Sequence, residues 1–322
     1  MKVITMDRPG GAEVLKLDEQ PDPEIGHGEV LVDVAAAGVN FMDIGVRHGE
    51  FWPEYGYPKR LGVEGAGRVV TVGRDVGHLR PGQRVAWIYV PGSYADRIVA
   101  PATALVPIPD DIDDRTAAAV MMQGITASHF ATDFYPVQPG DVALVHAAAG
   151  GVGQLLSQII RLRGGRVIGR VSSTDKVAAA KGAGAEHVIV DHSGRFADEV
   201  LRFTEGEGVH AVFDGSGPLT FRDSLASLRR SGTFCWYGPV LGGPGPLEIM
   251  KLPRSIKIGY ATFFDHIHTP ALLREKATQL FEWIRQGQLR VNIGGVYPLA
   301  DAAQAHRAME SRATTGKLLL VP

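Results

Sequence analysis

The chain has 322 residues, 45% hydrophobic and 21% charged, with a formal net charge of −2. That is apolar material for about two folded domains, which excludes a disordered chain, and the dispersed charge leaves no nucleic-acid footprint. A single cysteine, Cys235, excludes an intramolecular disulfide and every multi-cysteine zinc site.

The first 120 or so residues read as β-rich. Short runs at 30–34, 67–72, 84–88 and 96–99 carry β-branched residues and are separated by Gly/Pro turns. The acidic stretch 110–114 precedes a helix expected at 116–122, where carboxylates favour the N-terminus. After Gly124 the pattern changes. Strands are expected at 142–146, 167–171, 187–190, 211–213 and 233–237, alternating with helices at 152–163, 174–181, 195–203 and 220–228. Buried runs separated by helices are the pattern of βαβ units with a parallel sheet covered on both faces. Two amphipathic helices, 270–286 and 300–311, and a strand at 317–321 close the chain. Residues 242–246, Gly-Gly-Pro-Gly-Pro, read as a loop. No apolar run approaches a membrane span, and residues 1–8 lack the apolar stretch of a secretory signal. The expectation is a cytoplasmic protein with neither membrane nor nucleic-acid partner.

The strongest signal lies at 141–153, Asp-Val-Ala-Leu-Val-His-Ala-Ala-Ala-Gly-Gly-Val-Gly. A buried strand leads through a Gly-rich turn into a helix, and Ala148-x-Gly150-x-x-Gly153 is an Ala-substituted dinucleotide fingerprint. Gly150, with Gly151 and Val152 after it, lets the backbone approach a pyrophosphate. Gly153 lets the helix pack on the strand, and the helix N-terminus faces the negative charge. The next strand end selects the dinucleotide. An NAD site carries an acid about 20 residues past the fingerprint, but residues 170–176 here are Arg-Val-Ser-Ser-Thr-Asp-Lys. Hydroxyls of Ser172 and Ser173 and the cations Arg170 and Lys176 surround the place of a 2′-phosphate, so NADPH is the expected cofactor. Lys176 reads either as a phosphate contact or as a solvated helix residue, and Arg170 either faces the phosphate or points away.

These segments, with Gly38-Val39-Asn40-Phe41-Met42-Asp43, Gly62-Val63-Glu64-Gly65-Ala66-Gly67, Gly124-Ile125-Thr126-Ala127, Tyr297-Pro298-Leu299 and Thr315-Gly316-Lys317, resemble the zinc-independent quinone oxidoreductases. That subfamily belongs to the medium-chain dehydrogenase/reductase superfamily and includes zeta-crystallin. The resemblance implies an α/β fold, a Rossmann doubly wound parallel sheet plus a β-rich GroES-like catalytic domain. The catalytic domain is expected at 1–122 and, as a returning segment, at 265–322, with the dinucleotide-binding domain at 123–264 between them. Family members are commonly dimers or tetramers, so a homodimer is expected.

The resemblance also carries the candidate residues. Asn40, Arg47 and Tyr55 are the candidate catalytic residues. Asn40 reads as a polar contact near the nicotinamide ribose or as a turn residue, Arg47 as a cleft-closing group or the partner of an acid. Tyr55, with Tyr57, replaces a hydroxyl missing at Phe51. Asp43 reads as a carboxylate bonding backbone amides. Thr126 is expected at a helix start, as a cofactor contact or a cap. Ser216, Tyr237 and Gly238 lie at expected strand ends where dinucleotides bind, and Phe263 and Phe264 either flank the nicotinamide or pack a core. Lys317 matches a family Gly-Lys and is a candidate cofactor contact, or is an exposed strand residue. After the third strand, Asp191 replaces an aromatic common in relatives, with His192 beside it as a further phosphate contact; a carboxylate there would repel a 2′-phosphate.

No metal is expected. Asn40 stands where zinc-dependent members have Cys, Glu64 alone cannot complete a tetrahedral site, and His266-Ile267-His268 reads as polar surface. An acceptor that needs no Lewis acid is electron-poor, a quinone or an activated alkene. The expected activity is NADPH-dependent, metal-independent quinone reduction by hydride transfer from nicotinamide C4. The alternatives are an enoyl reductase of an α,β-unsaturated ketone, acid or thioester, and a non-catalytic NADPH- or RNA-binding protein.

Overall fold

The structure is a computed structural model that describes residues 1–238, 242–243 and 245–322. Pro244, inside the expected 242–246 loop, lies outside the described residues. The chain divides into two compact units: Met1–Met122 with Ile267–Gly287 and Val291–Pro322, and Gln123–His266 with Gln288–Arg290.

Short β-branched runs become the strands of the first unit because each has one apolar face to bury. In chain order they are β1 (Lys2–Met6), β2 (Lys16–Glu19), β3 (Glu29–Val39), β4 (Lys59–Arg60), β5 (Glu64–Val72), β6 (Arg84–Ile88), β7 (Arg97–Pro101) and β8 (Leu105–Pro107), with helix α1 (Phe41–His48) between β3 and β4. The returning segments add helix α8 (Pro270–Arg285), β15 (Ile293–Pro298), α9 (Ala302–Glu310) and β16 (Lys317–Val321). β2-β1-β4 form a small antiparallel sheet, and β15-β16-β3-β5-β6-β8, with β7 also on β3, form the main one. β3 is the long central strand, buried along most of its length.

The second unit runs from β9 (Val142–Val145) through α3 (Gly151–Leu162), β10 (Arg166–Val171), α4 (Val177–Gly182), β11 (His187–Val190), α5 (Ala197–Phe203), β12 (Val209–Asp214), α6 (Phe221–Ala226), β13 (Leu228–Trp236) and β14 (Lys257–Tyr260) to α7 (Phe263–His266). Its strands are all parallel and lie in the order β11-β10-β9-β12-β13-β14. The order reverses between β9 and β12, the switch point at which doubly wound sheets receive dinucleotides. Leu144, Ile168, Val212, Phe196 and Phe234 pack together in its core.

One expectation fails at α2, which runs Asp114–His129 and continues as a π-helix over Phe130–Phe134. The expected stop before Gly124 does not occur, because Gln123, Gly124 and Ile125 are buried and the packing overrides the glycine. Thr126 therefore sits inside a helix and caps nothing. Among the described residues no helix is long and apolar enough to cross a membrane.

Candidate active site

In the second unit the Gly-rich turn sits at the end of β9, beside the switch point. His146 N–H donates to Phe213 O across it at 3.1 Å. Ala147 adopts a left-handed φ of 47°, a conformation that costs a non-glycine residue about 1 kcal/mol and concentrates at functional turns. Ala148 is buried and its N–H donates to Arg170 O. Gly150 is the N-cap of α3 and supplies no side-chain cap, so the first-turn amides at Gly151 and Val152 keep their donors for a ligand. A Cβ on Gly153 would meet Ala147 O and come within 2.8 Å of Ala148 Cα. Only glycine lets α3 lie this close to the turn. For a Cβ on Gly151 the nearest atoms are those of the Gln123 side-chain amide. These are the features of a pyrophosphate cradle, and the residues present fit one.

At the end of β10, Ser172 and Ser173 are half-buried and Lys176 is buried, its Nζ donating to Ser172 Oγ at 3.1 Å. Asp175 is exposed in the turn after the strand and interacts with the Ser173 side chain, which holds its carboxyl below the usual range. Arg170 is not a phosphate contact. It is buried, its Nε and Nη2 donate to Asp191 Oδ2 at 2.9 and 2.7 Å, and the guanidinium lies over the Phe196 ring. The same geometry disposes of the expected repulsion by Asp191. That carboxylate is buried, neutralised by Arg170, and accepts from Ser193 Oγ and from the Ser193 and Gly194 amides. His192 beside it is exposed.

The loop after β12 is organised by Asp214, which the sequence reading missed. Its Oδ1 accepts from Ser216 N–H at 2.8 Å and its Oδ2 from Ser224 Oγ at 2.8 Å; Ser224 Oγ also meets His146 Nε2 at 2.9 Å. Burial pushes the His146 imidazole down to about 4. Tyr237 N–H donates to Asp214 O, and the Tyr237 ring packs on Phe130 with centroids 4.6 Å apart. Ser216, Tyr237 and Gly238 are half-buried at the strand ends. The Phe263 and Phe264 rings of α7 pack against each other at a tilt of 31° with centroids 4.1 Å apart, Phe263 half-buried and Phe264 exposed. Thr126 is half-buried in α2.

In the first unit the register of the main sheet creates a buried triad. Leu318 pairs with Val39 and Ala37 with Gly65, so Lys317 and Glu64 come to either side of Asn40. Lys317 Nζ donates to Asn40 Oδ1 at 2.8 Å and to Glu64 Oε1. Asn40 Nδ2 donates to Glu64 Oε1 at 2.8 Å, and Met122 N–H to Glu64 Oε2 at 2.6 Å. Lys317 and Glu64 are fully buried and Asn40 is nearly so. Both readings of Lys317, cofactor contact and exposed strand residue, are thereby corrected: its ammonium neutralises Glu64 and holds the Asn40 amide.

Asn40 is also the N-cap of α1, and Asp43 Oδ2 accepts from the Asn40 N–H at 2.8 Å and from Tyr94 OH at 2.9 Å. Burial is the main force on Asp43; it outweighs those hydrogen bonds and the Lys317 charge and raises the carboxyl to about 7. Arg47 leaves the catalytic set. It is fully buried, grips Glu310 with both terminal nitrogens, and donates from Nε to Gly10 O, with His306 and His48 against the same guanidinium. A charge so enclosed fastens α1 to α9. Tyr55 is exposed, edge-on to Trp52 at 6.0 Å, and Trp52 Nε1 donates to Tyr89 OH.

The chain's similarity to known proteins matches this architecture. Residues 26–110 match the family described as "Alcohol dehydrogenase GroES-like domain", and residues 183–320 the one described as "Zinc-binding dehydrogenase". A quinone oxidoreductase of Pseudomonas aeruginosa is 36% identical over 318 residues, 97% of each chain. A 2-haloacrylate reductase of a Burkholderia species is 33% identical over 321 residues, 97% of this chain and 96% of that one. The crystal structure of Escherichia coli quinone oxidoreductase complexed with NADPH superposes with a TM-score of 0.96 at 32% identity and covers 100% of both chains. With full-length identity at this level and both component folds in place, the chain belongs to the quinone oxidoreductase family of the medium-chain dehydrogenase/reductase superfamily.

Proposed function

We propose that this chain is an NADPH-dependent quinone oxidoreductase that works without a metal. The observation that carries the reading is the uncapped N-terminus of α3 at the sheet's switch point, followed by a strand end bearing Ser172, Ser173 and Lys176 in place of an acid. The α3 amides bind the pyrophosphate, and Lys176 with the two serines takes the 2′-phosphate. Asp214 fixes the loop that carries Ser216, and Tyr237, Gly238, Phe263 and Phe264 complete the second unit's contribution. When bound, NADPH supplies the hydride that leaves nicotinamide C4. The residues' task is orientation and exclusion of water, since proximity alone contributes several kcal/mol to such transfers.

Metal independence is supported by the donor set around Asn40. Both oxygens of Glu64 are engaged, and an ammonium stands against them where a zinc ligand set would need a second soft or imidazole donor. Asn40, held from two sides, keeps one carbonyl lone pair for a ribose or acceptor hydroxyl. Tyr55 is the phenol available for protonating the reduced acceptor. We further propose a cytoplasmic homodimer, which light scattering of the purified chain tests.

The decisive experiment follows NADPH oxidation by near-UV absorbance against a matched panel of quinones and conjugated enones, with NADH and a chelator as parallel arms. Chelator-resistant quinone turnover with NADPH is expected. Lys176→Ala is expected to raise the KM for NADPH about tenfold or more and to leave that for NADH unchanged, because one charged hydrogen bond is lost. Turnover of enones with inert quinones would instead move the chain to the enoyl reductases, a chemistry like that named for the Burkholderia relative.

A further inference from the structure

A cluster in the second unit lies outside everything used above. His129 is the last residue of α2, and Asp133 follows four residues later in the π-helical turn, so the two share one helix face. His266, at the end of α7, meets them. One ring nitrogen from each histidine and one Asp133 carboxylate oxygen lie within 4.8 Å of one another. His266 Nδ1 is 2.6 Å from Asp133 Oδ2, and the His129 and His266 rings are 5.3 Å apart. The expected polar surface of His266-Ile267-His268 is therefore wrong for His266, whose side chain is fully buried.

We propose that His129, Asp133 and His266 form a binding site for a divalent first-row transition metal, with zinc as the preferred occupant. Two imidazoles and a carboxylate are the donor set that zinc takes with an open fourth position. His266 ligates through Nδ1, the nitrogen that faces Asp133. Its Nε2, 3.2 Å from Ser128 Oγ, then carries the ring proton and makes the outer hydrogen bond that metal-bound histidines keep. The tautomer shift needs no net proton release. His129 is buried, and its Nδ1 is a polar atom with no hydrogen-bond partner. A buried polar atom left without a partner marks a site short of one component. Asp133 is half-exposed and leaves the fourth position open to water. The bound ion joins the end of α2 to α7, the helix that carries Phe263 and Phe264. This site shares no residue with the Asn40–Glu64–Lys317 triad, and it does not depend on the hydride reading.

The test uses the full chain, stripped with a chelator and dialysed, then titrated with Co²⁺ and Zn²⁺. Expected results are one equivalent of Co²⁺ with the visible d–d bands of a low-coordinate site, its displacement by Zn²⁺, and calorimetric Zn²⁺ binding in the micromolar range or tighter. Asp133→Asn, at a half-exposed position that spares the fold, is expected to weaken Zn²⁺ at least about tenfold. His129→Ala, checked for folding by circular dichroism, is expected to abolish the Co²⁺ bands, and His268→Ala to bind like the parent. Absence of saturable binding, or equal affinity in the parent, Asp133→Asn and His129→Ala, overturns the proposal.

Discussion

Lys317 shows how one buried side chain can be misjudged in both directions from its neighbours in sequence. In a run ending Lys-Leu-Leu-Leu-Val, a leading lysine looks exposed. It is fully buried because Glu64, contributed from 253 positions earlier, needs a counter-charge in an apolar sheet. Removing one partner of such a pair leaves the other charge unpaired, which costs about 3–5 kcal/mol. Lys317→Ala is therefore expected to lower the unfolding free energy by that amount in urea titration. Glu64→Gln combined with Lys317→Met is expected to recover most of the loss, because no uncompensated charge remains. A Lys317→Ala variant as stable as the parent would show that water reaches Glu64. Arg47 and Arg170 follow the same logic. Each reads from sequence either as a group that meets a ligand or as one turned to another partner, and each buried guanidinium is committed to a carboxylate, the partly exposed Glu310 or the buried Asp191.

At the scale of elements, the β9–turn–α3 unit was legible because glycine spacing encodes a steric demand that no other residue meets. Gly153 and Gly151 separate cleanly in their consequences. A methyl on Gly153 collides with the backbone of Ala147 and Ala148, which cannot retreat without moving the turn; a methyl on Gly151 first meets the Gln123 side chain, which can turn aside. Gly153→Ala is expected to weaken NADPH binding at least about tenfold, and Gly151→Ala by a few-fold at most, as read by fluorescence titration. Equal effects of the two would mean that backbone approach, rather than helix packing, governs the cradle. The helix α2 was legible only in part. Its acidic start announced the N-terminus, where Asp113 Oδ1 accepts from Thr116 N–H at 2.9 Å. Its continuation past Gly124 was not legible, since burial on surrounding residues sustains it and local propensity argues the other way.

For the whole molecule, buried groups with displaced pKa values set an acid profile. His146 is pushed down to about 4 by burial, and His306 to about 3 by burial and then by Arg47. Between pH 6.5 and 4 both take up protons only when the chain unfolds, so each removes stability as pH falls, on the order of 1 kcal/mol per pH unit. Asp43, raised from 3.8 to about 7 by burial, acts in the opposite sense. It is protonated in the folded chain and ionised in the unfolded one across that window, so its contribution grows as pH falls. His129 and His210, both lowered chiefly by burial, add in the histidines' sense, so the balance is a net loss toward acid. Asp43→Asn removes the opposing contribution, and the slope of unfolding free energy between pH 6.5 and 4.5 is expected to steepen by about 1 kcal/mol per pH unit in urea titrations. An unchanged slope would place the Asp43 proton elsewhere.

By itself the sequence determined the βαβ alternation, the Gly-rich turn, the acid-free strand end and the family. Each is a local pattern: hydrophobic period, glycine spacing, or a few adjacent residues whose chemistry is complete within one turn and one strand. The tertiary structure alone decided which charges pair. Asn40 with Glu64 and Lys317, Arg47 with Glu310, Arg170 with Asp191, and His129 with Asp133 and His266 are mostly brought together by strand register and helix packing across long stretches of chain. A buried charge must find a partner wherever the fold provides one. That requirement carries no sequence period, so no run of adjacent residues announces which arginines and lysines hold the fold.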